Sequence, residues 1–150
     1  MKDHIIFDYN KITPSIYLGT NACCEWHFSR ELLKNGVSAD ISLEGERIDY
    51  PKGAAYYVWL PTRDHQAPTL KQLKMGIACI DVLIKEKVKI YIHCKNGHGR
   101  APTLLAGYFI SEGMGVDEAI RFIKKYRKEI HIEPPQKKLL MRYDRIIRKK

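Results

Sequence analysis

VKIYIHCKNGHGRAPTLLAGYFI, residues 88–110, runs from a β-rich apolar segment through a short polar loop into a helical pattern. Residues 88–93 carry the branched and aromatic side chains that suit a buried strand. Leu104, Leu105, Tyr108 and Phe109 follow at helical spacing, and the pattern stops near Gly113. A strand that passes so quickly into a helix is the unit from which parallel α/β sheets are built. The rest of the chain repeats that unit. Residues 12–18, 37–43 and 54–60 are further β-rich runs. Leu70, Leu73, Ile77, Ile80 and Ile84 form one helical face opened by Thr69. Val116, Ile120, Ile123, Tyr126 and Ile130 form another, with Asp117 and Glu118 at its positive end. Leu139, Leu140, Tyr143, Ile146 and Ile147 form the last, opened by Pro134 and Pro135. With no repeats or Gly/Ser linkers, one α/β domain over residues 1–150 is expected. Its sheet should have four to five strands, largely parallel, with helices on both faces. Ligands of such sheets bind beyond the carboxyl ends of the strands, which places the loop after residue 93 at the centre of interest.

That loop has a physical logic. His93 ends the strand, Cys94 follows, and Lys95, Asn96, Gly97, His98 and Gly99 lead to Arg100 at the start of the helix. Backbone amides in so tight a turn can face inward as a nest for an anion, and Gly97 and Gly99 permit the required backbone angles. Arg100 adds a planar fork matched to two phosphate oxygens. Amide dipoles, a helix N-terminus and a guanidinium all favour the thiolate of Cys94, so the field that binds phosphate also prepares a nucleophile to attack phosphorus. Spacing alone is cheap: Cys24 and Arg30 stand the same distance apart. Trp26, His27 and Phe28 fill that second interval, no glycine lies in it and no strand runs into it. Requiring the preceding histidine and the glycine leaves Cys94 alone.

HCKNGHGR resembles the His-Cys-x5-Arg signature of the protein-tyrosine-phosphatase superfamily. Chain length and the loop's place after the last strand look like the dual-specificity branch, from ITPSIYLG at residues 12–19 to a Pro-x-Gln element at residues 134–136. The resemblance implies a phosphatase P-loop between last strand and following helix, and a phosphomonoester hydrolase working through a phosphocysteine. Cys94 would be the nucleophile, Arg100 and the amides of residues 95–100 would hold the equatorial oxygens, and no metal or cofactor would be needed. It also implies a general acid on an upstream loop, which WLPTRDHQAPT supplies as Asp64. Asp49 precedes the third β-rich run and is set aside as lying at the wrong end of the sheet. His93 and its neighbour Cys94 point to opposite faces of a strand, so the resemblance gives His93 an indirect role, holding the loop by hydrogen bonds. Thr103 matches a hydroxyl position common in the family but lies elsewhere on the helical turn. Gln136 resembles a glutamine near the family's site. Lys95 and His98 are placed at the rim as substrate contacts, with a solvated histidine the plainer reading of His98. The chain departs from the family at Ala101, where a Ser or Thr usually stabilises the departing thiolate. Breakdown of the phosphocysteine should therefore be slower than its formation.

The formal charge of +9 is unevenly placed. Residues 1–120 hold 14 basic and 14 acidic side chains, whereas residues 121–150 hold 12 basic and 3 acidic. The basic segment reads either as the solvated face of amphipathic helices or as a field for anionic substrates: phosphoproteins, phosphoinositide headgroups or RNA 5′ phosphates. No aromatic-rich basic motif marks nucleic-acid readout. Four cysteines, Cys23, Cys24, Cys79 and Cys94, are too few and irregular for a disulfide framework or a paired zinc site, and adjacent Cys23 and Cys24 are not expected to turn onto one partner. A reducing cytoplasm and a monomer are the expected setting, with no apolar stretch long enough for a membrane helix. Any of the three remaining cysteines could shield Cys94 from oxidants by forming a disulfide. A phosphate-binding pseudophosphatase, a rhodanese-type sulfurtransferase and a basic nucleic-acid-binding domain are the rival classes.

Overall fold

The computed structural model describes residues 6–149. Five strands, β1 (Tyr9–Thr13), β2 (Ile16–Gly19), β3 (Val37–Glu44), β4 (Tyr56–Thr62) and β5 (Lys89–His93), form one sheet in the order β1-β2-β5-β3-β4. β1 and β2 pair antiparallel, and every other pairing is parallel. Between and after the strands come α1 (Arg30–Lys34), α2 (Leu70–Lys85), α3 (Arg100–Ser111), α4 (Val116–Tyr126) and α5 (Pro134–Arg148). The largely parallel α/β architecture expected from strand-helix alternation is present. Thr69 opens α2 as anticipated: its hydroxyl accepts from the Gln72 amide at 3.0 Å while the Gln72 side chain accepts from the Thr69 amide at 2.9 Å.

Three boundaries differ from the sequence reading. Residues 12–18 are not one strand, because Pro14 interrupts them. The Thr13 hydroxyl accepts from the amides of Ser15 and Ile16 and folds the run into a β1-β2 hairpin. β4 begins two residues later than expected. α4 ends at Tyr126 rather than Ile130, and Ile130 nevertheless remains in the core at 4% exposure.

The period of two in the strands divides the sheet, apart from Val37, which precedes a register shift in the β3–β5 pairing. Ala39, Ile41, Leu43, Ile90 and Ile92 pack into one core with α2, α3, α4 and α5. The opposite face is covered by the connection from β2 to β3. There Cys23, Cys24, Phe28 and Leu32 of that connection meet Tyr17, Val37 and Tyr91. Both faces thus carry helix, but only the five-residue α1 lies on the second. Asp40, Ser42 and Glu44 on β3 and His93 on β5 also belong to this second face, and all are buried.

Because β2, β3, β4 and β5 run parallel, the segments that follow each of them emerge at one edge. Those segments are residues 20–29, 45–55, 63–69 and 94–99. Asp49 therefore lies at the same edge as Cys94. It was misplaced at the sequence level by its order before β4, when its position is fixed by the end of β3.

Candidate active site

Cys94, 3% exposed, is the first residue beyond β5 and sits on the floor of a cavity of about 170 Å³. Asp64, His98, Arg100, His131 and Gln136 are among its walls. The loop is held from outside, one carbonyl after another. Lys95 O accepts from Asn21 N at 3.1 Å, Asn96 O from Arg127 Nη2 at 3.0 Å, Gly97 O from Arg127 Nε at 3.0 Å, and His98 O from His131 N at 2.6 Å. With four consecutive carbonyls turned outward, the amides of residues 95–100 donate to no group among the described residues. Unpaired amides around a buried thiol are what the anion nest inferred from the glycines requires.

Of those two glycines only Gly97 adopts a left-handed conformation, at φ 69°. A Cβ there would also lie 2.5 Å from the carbonyl oxygen of Gly19. Gly99 has φ −131°, which any residue adopts. Its requirement is for space, since a Cβ would approach the Gln136 amide at 3.0 Å.

Arg100 is 2% exposed, and its guanidinium is fixed before any ligand arrives. Nη1 donates to both carboxylate oxygens of Glu46, at 2.9 and 3.0 Å, and to Thr62 O at 2.8 Å. Burial opposes its charge, but the hydrogen bond to Glu46 and the nearby acidic groups outweigh it and raise its pKa. Asp64 is half exposed above the loop, with Oδ1 3.6 Å from Arg100 Nη2. His98 lines the cavity mouth, and burial together with the Arg127 charge lowers its pKa. Lys95 is half-buried and Asn96 exposed at the rim. Thr103 is committed elsewhere: its hydroxyl donates to Gly99 O at 2.7 Å, and beside it Ala101 is fully buried.

His93 reaches the loop from behind. Its Nδ1 lies 3.1 Å from the carbonyl oxygen of Cys94, a contact with the backbone and not with the thiol. Its Nε2 lies 2.7 Å from Asp49 Oδ2, 3.0 Å from Asp40 Oδ1 and 3.5 Å from Cys24 Sγ. Burial alone would lower the His93 pKa, but the two carboxylates reverse this and raise it. Burial pushes Asp40 up to about 7, whereas the hydrogen bond from His93 overcomes burial and lowers Asp49.

The cysteines behave differently from expectation. Cys23 and Cys24 are joined to each other, while Cys79 and Cys94 are free. Cys23 and Cys24, not expected to turn onto one partner, are both buried in the second core and pair with each other around the 3-10 turn Asn21–Cys23. Neither is bonded to Cys94.

Two positioning residues went unread in the sequence, and a third, Asp49, was placed at the wrong end of the sheet. Glu46 sets the Arg100 fork, and its one signal was its place just beyond β3. Arg127 was counted with the basic tail, yet it is 0% exposed and clamps two loop carbonyls; its remaining nitrogen donates to Asn10 Oδ1 at 2.8 Å. Asp49 orients His93. Gln136, 1% exposed, donates to Gln66 O at 3.0 Å and accepts from Glu133 N at 2.8 Å, tying the start of α5 to the Asp64 loop.

Comparison with known proteins gives the chain a family. The family model for the dual specificity phosphatase catalytic domain matches residues 16–146. Dual specificity protein phosphatase 5 of Rattus norvegicus is 27% identical over 124 residues, which are 80% of this chain and 31% of that protein. Phosphatidylglycerophosphatase and protein-tyrosine phosphatase 1 of Homo sapiens is 35% identical over 81 residues, 53% of this chain and 40% of that protein. The chain thus spans well under half the length of these relatives. The crystal structure of PTPMT1 in complex with PI(5)P superposes with a TM-score of 0.81 at 26% identity, covering 94% of this chain and 97% of that one. On the residues matched and the shared fold, the chain belongs to the dual specificity phosphatase catalytic domain family.

Proposed function

We propose that the protein is a cysteine-dependent phosphomonoester hydrolase that acts on phosphoproteins. The observation that carries this reading is the loop of residues 94–100, four of whose carbonyls are tied outward around a buried cysteine and a pre-set arginine. A phosphate dianion placed in this cavity meets the amides of residues 95–100 and the Arg100 fork without reorganisation of either. The Cys94 sulfur attacks phosphorus, the ester bond to the leaving oxygen breaks, and Asp64 donates a proton to that oxygen. In the second half, Asp64 takes a proton from water, whose oxygen attacks phosphorus as the sulfur-phosphorus bond breaks. His93 and Asp49 hold the Cys94 carbonyl, and Glu46 holds Arg100, so both act by position.

A second reading, a lipid headgroup as substrate, is supported by the relatives whose names include phosphatidylglycerophosphatase activity or a bound phosphoinositide. The basic segment suits either substrate. Arg121, Lys124 and Lys137 line a recess that shares His131 with the catalytic cavity. Among the described residues no helix is long and apolar enough to cross a membrane. Turnover of a phosphotyrosine peptide, a phosphoserine peptide, a phosphatidylinositol phosphate and a 5′-triphosphorylated RNA should be compared on one preparation. Greatest kcat/KM on a phosphopeptide is expected. Preference for the lipid would replace the first reading with the second, and phosphate binding without turnover of any substrate would refute both.

A further inference from the structure

Behind the loop, on the sheet face opposite the large helices, five chemically active side chains converge. Cys23, Cys24, Asp40, Asp49 and His93 each present one ligand atom within 4.8 Å of all the others, and all five residues are buried. Two sulfurs, an imidazole and a carboxylate are the donor set of a closed four-coordinate zinc site. Ligands about 2.0–2.3 Å from a tetrahedral zinc stand roughly 3.3–3.8 Å from one another. Cys24 Sγ is 3.5 Å from His93 Nε2, and Asp40 Oδ1 is 3.0 Å from it, so these three are within a few tenths of an ångström of that spacing, while the bonded Cys23 and Cys24 sulfurs must part once reduced.

Two further features suit a cation at this place. Asp40 is 0% exposed, and neither of its oxygens has a hydrogen-bond partner, because the proton on Nε2 is directed at Asp49. Burying a carboxylate is costly, and the one cationic group close to Asp40 among the described residues, His93 Nε2 at 3.0 Å, is shared with Asp49. The imidazole is also already oriented as a ligand. Nδ1 addresses the Cys94 carbonyl at 3.1 Å, the backbone contact that fixes the tautomer of metal-bound histidines and leaves Nε2 for the metal. Asp49 is the better outer partner, since Arg47 Nη2 stands 3.6 Å from its second oxygen.

We propose that the reduced chain binds one Zn²⁺ here, through Cys23 Sγ, Cys24 Sγ, His93 Nε2 and the Asp40 carboxylate. Two electrons and two protons from a thiol reductant open the Cys23–Cys24 bond to two thiols. Zn²⁺ then displaces one proton from each sulfur and the proton on Nε2. The oxidised pair offers no thiolate, so the site exists only in the reduced protein. A bound cation braces His93 against the Cys94 carbonyl, which makes it a structural support for the phosphate loop and no participant in phosphoryl transfer.

The full chain, reduced with a phosphine, should be exposed to Zn²⁺, freed of excess by gel filtration, and its metal content measured. One Zn²⁺ per chain is expected, retained in Cys94→Ser and lost in Cys24→Ser. Asp40→Asn, nearly isosteric, should weaken affinity at least about tenfold. Should Cys24→Ser fail to fold, Co²⁺ loading of the unmutated chain decides alone: intense four-coordinate d–d bands with sulfur-to-cobalt charge transfer are expected. Absence of those bands, or zinc that persists in Cys24→Ser and disappears in Cys94→Ser, would overturn the proposal.

Discussion

Cys94 and Cys24 each stand six residues before an arginine, and both lie within reach of the same histidine ring, yet the fold treats them oppositely. Cys94 opens into a cavity at the N-terminus of the twelve-residue α3, and its Arg100 is buried, forked and held by Glu46. Cys24 is sealed under the sheet, bonded to Cys23, and its Arg30 is an exposed residue on a five-residue helix. The difference lies in what the backbone does between cysteine and arginine. Around Gly97 the chain leaves its amides unpaired among the described residues and lets Arg127 and His131 take the carbonyls. In residues 24–30 the interval is spent on Trp26, His27 and Phe28, of which Phe28 fills the second core.

Exchanging one residue at a time should break this pairing most visibly at sulfur. Cys94→Ser should lower turnover of p-nitrophenyl phosphate at least about a thousandfold, because an alkoxide-forming serine is a far poorer nucleophile at neutral pH. Cys24→Ser should still form a phosphoenzyme, as a stopped chemical quench would reveal. At the arginines, Arg100→Lys is expected to cost about 10²- to 10³-fold in kcat/KM, since an ammonium cannot reproduce the fork. Arg30→Lys should leave kcat/KM unchanged, and an equal loss in both variants would erase the distinction. Smaller again is Asp64→Ala. It should slow alkyl phosphates by about a hundredfold and an activated aryl phosphate by less than about tenfold, because only the poor leaving group needs the proton. Equal slowing of the two would remove Asp64 from the role of acid.

The gentlest change is Ala101→Ser. Ala101 is fully buried and carries no hydroxyl, and Thr103 spends its own on Gly99 O, so neither residue supplies a hydroxyl to the departing sulfur. Restoring one should raise steady-state turnover several-fold and shrink the pre-steady-state burst. Turnover unchanged or reduced would show that breakdown of the intermediate is not the slow step.

Much of this was legible because local chemistry and topology agree. The HCKNGHGR loop, the strand before it and the Thr69 cap are each written within a few consecutive residues, and so were readable without the fold. What escaped depends on long-range pairing. Arg127 looks like one more solvated cation in a basic helix until α4 ends and carries it beneath the loop. Asp49 follows β3 by five residues, and only the parallel pairing of β3 with β5 brings it to His93. Pro14 was visible but not weighted, and it splits the first β-run in two. The inward turn of both Cys23 and Cys24 rests on backbone angles that no side-chain pattern announces.

One measurement tests the nucleophile directly. The chain is mixed with a phosphotyrosine peptide, quenched in acid within the first turnover, digested and analysed by mass spectrometry. Phosphate on the peptide containing Cys94, rising in a burst toward one equivalent before the linear phase, is the predicted result. A linear release of product from zero with no phosphocysteine, or phosphate found on Cys24, would contradict it.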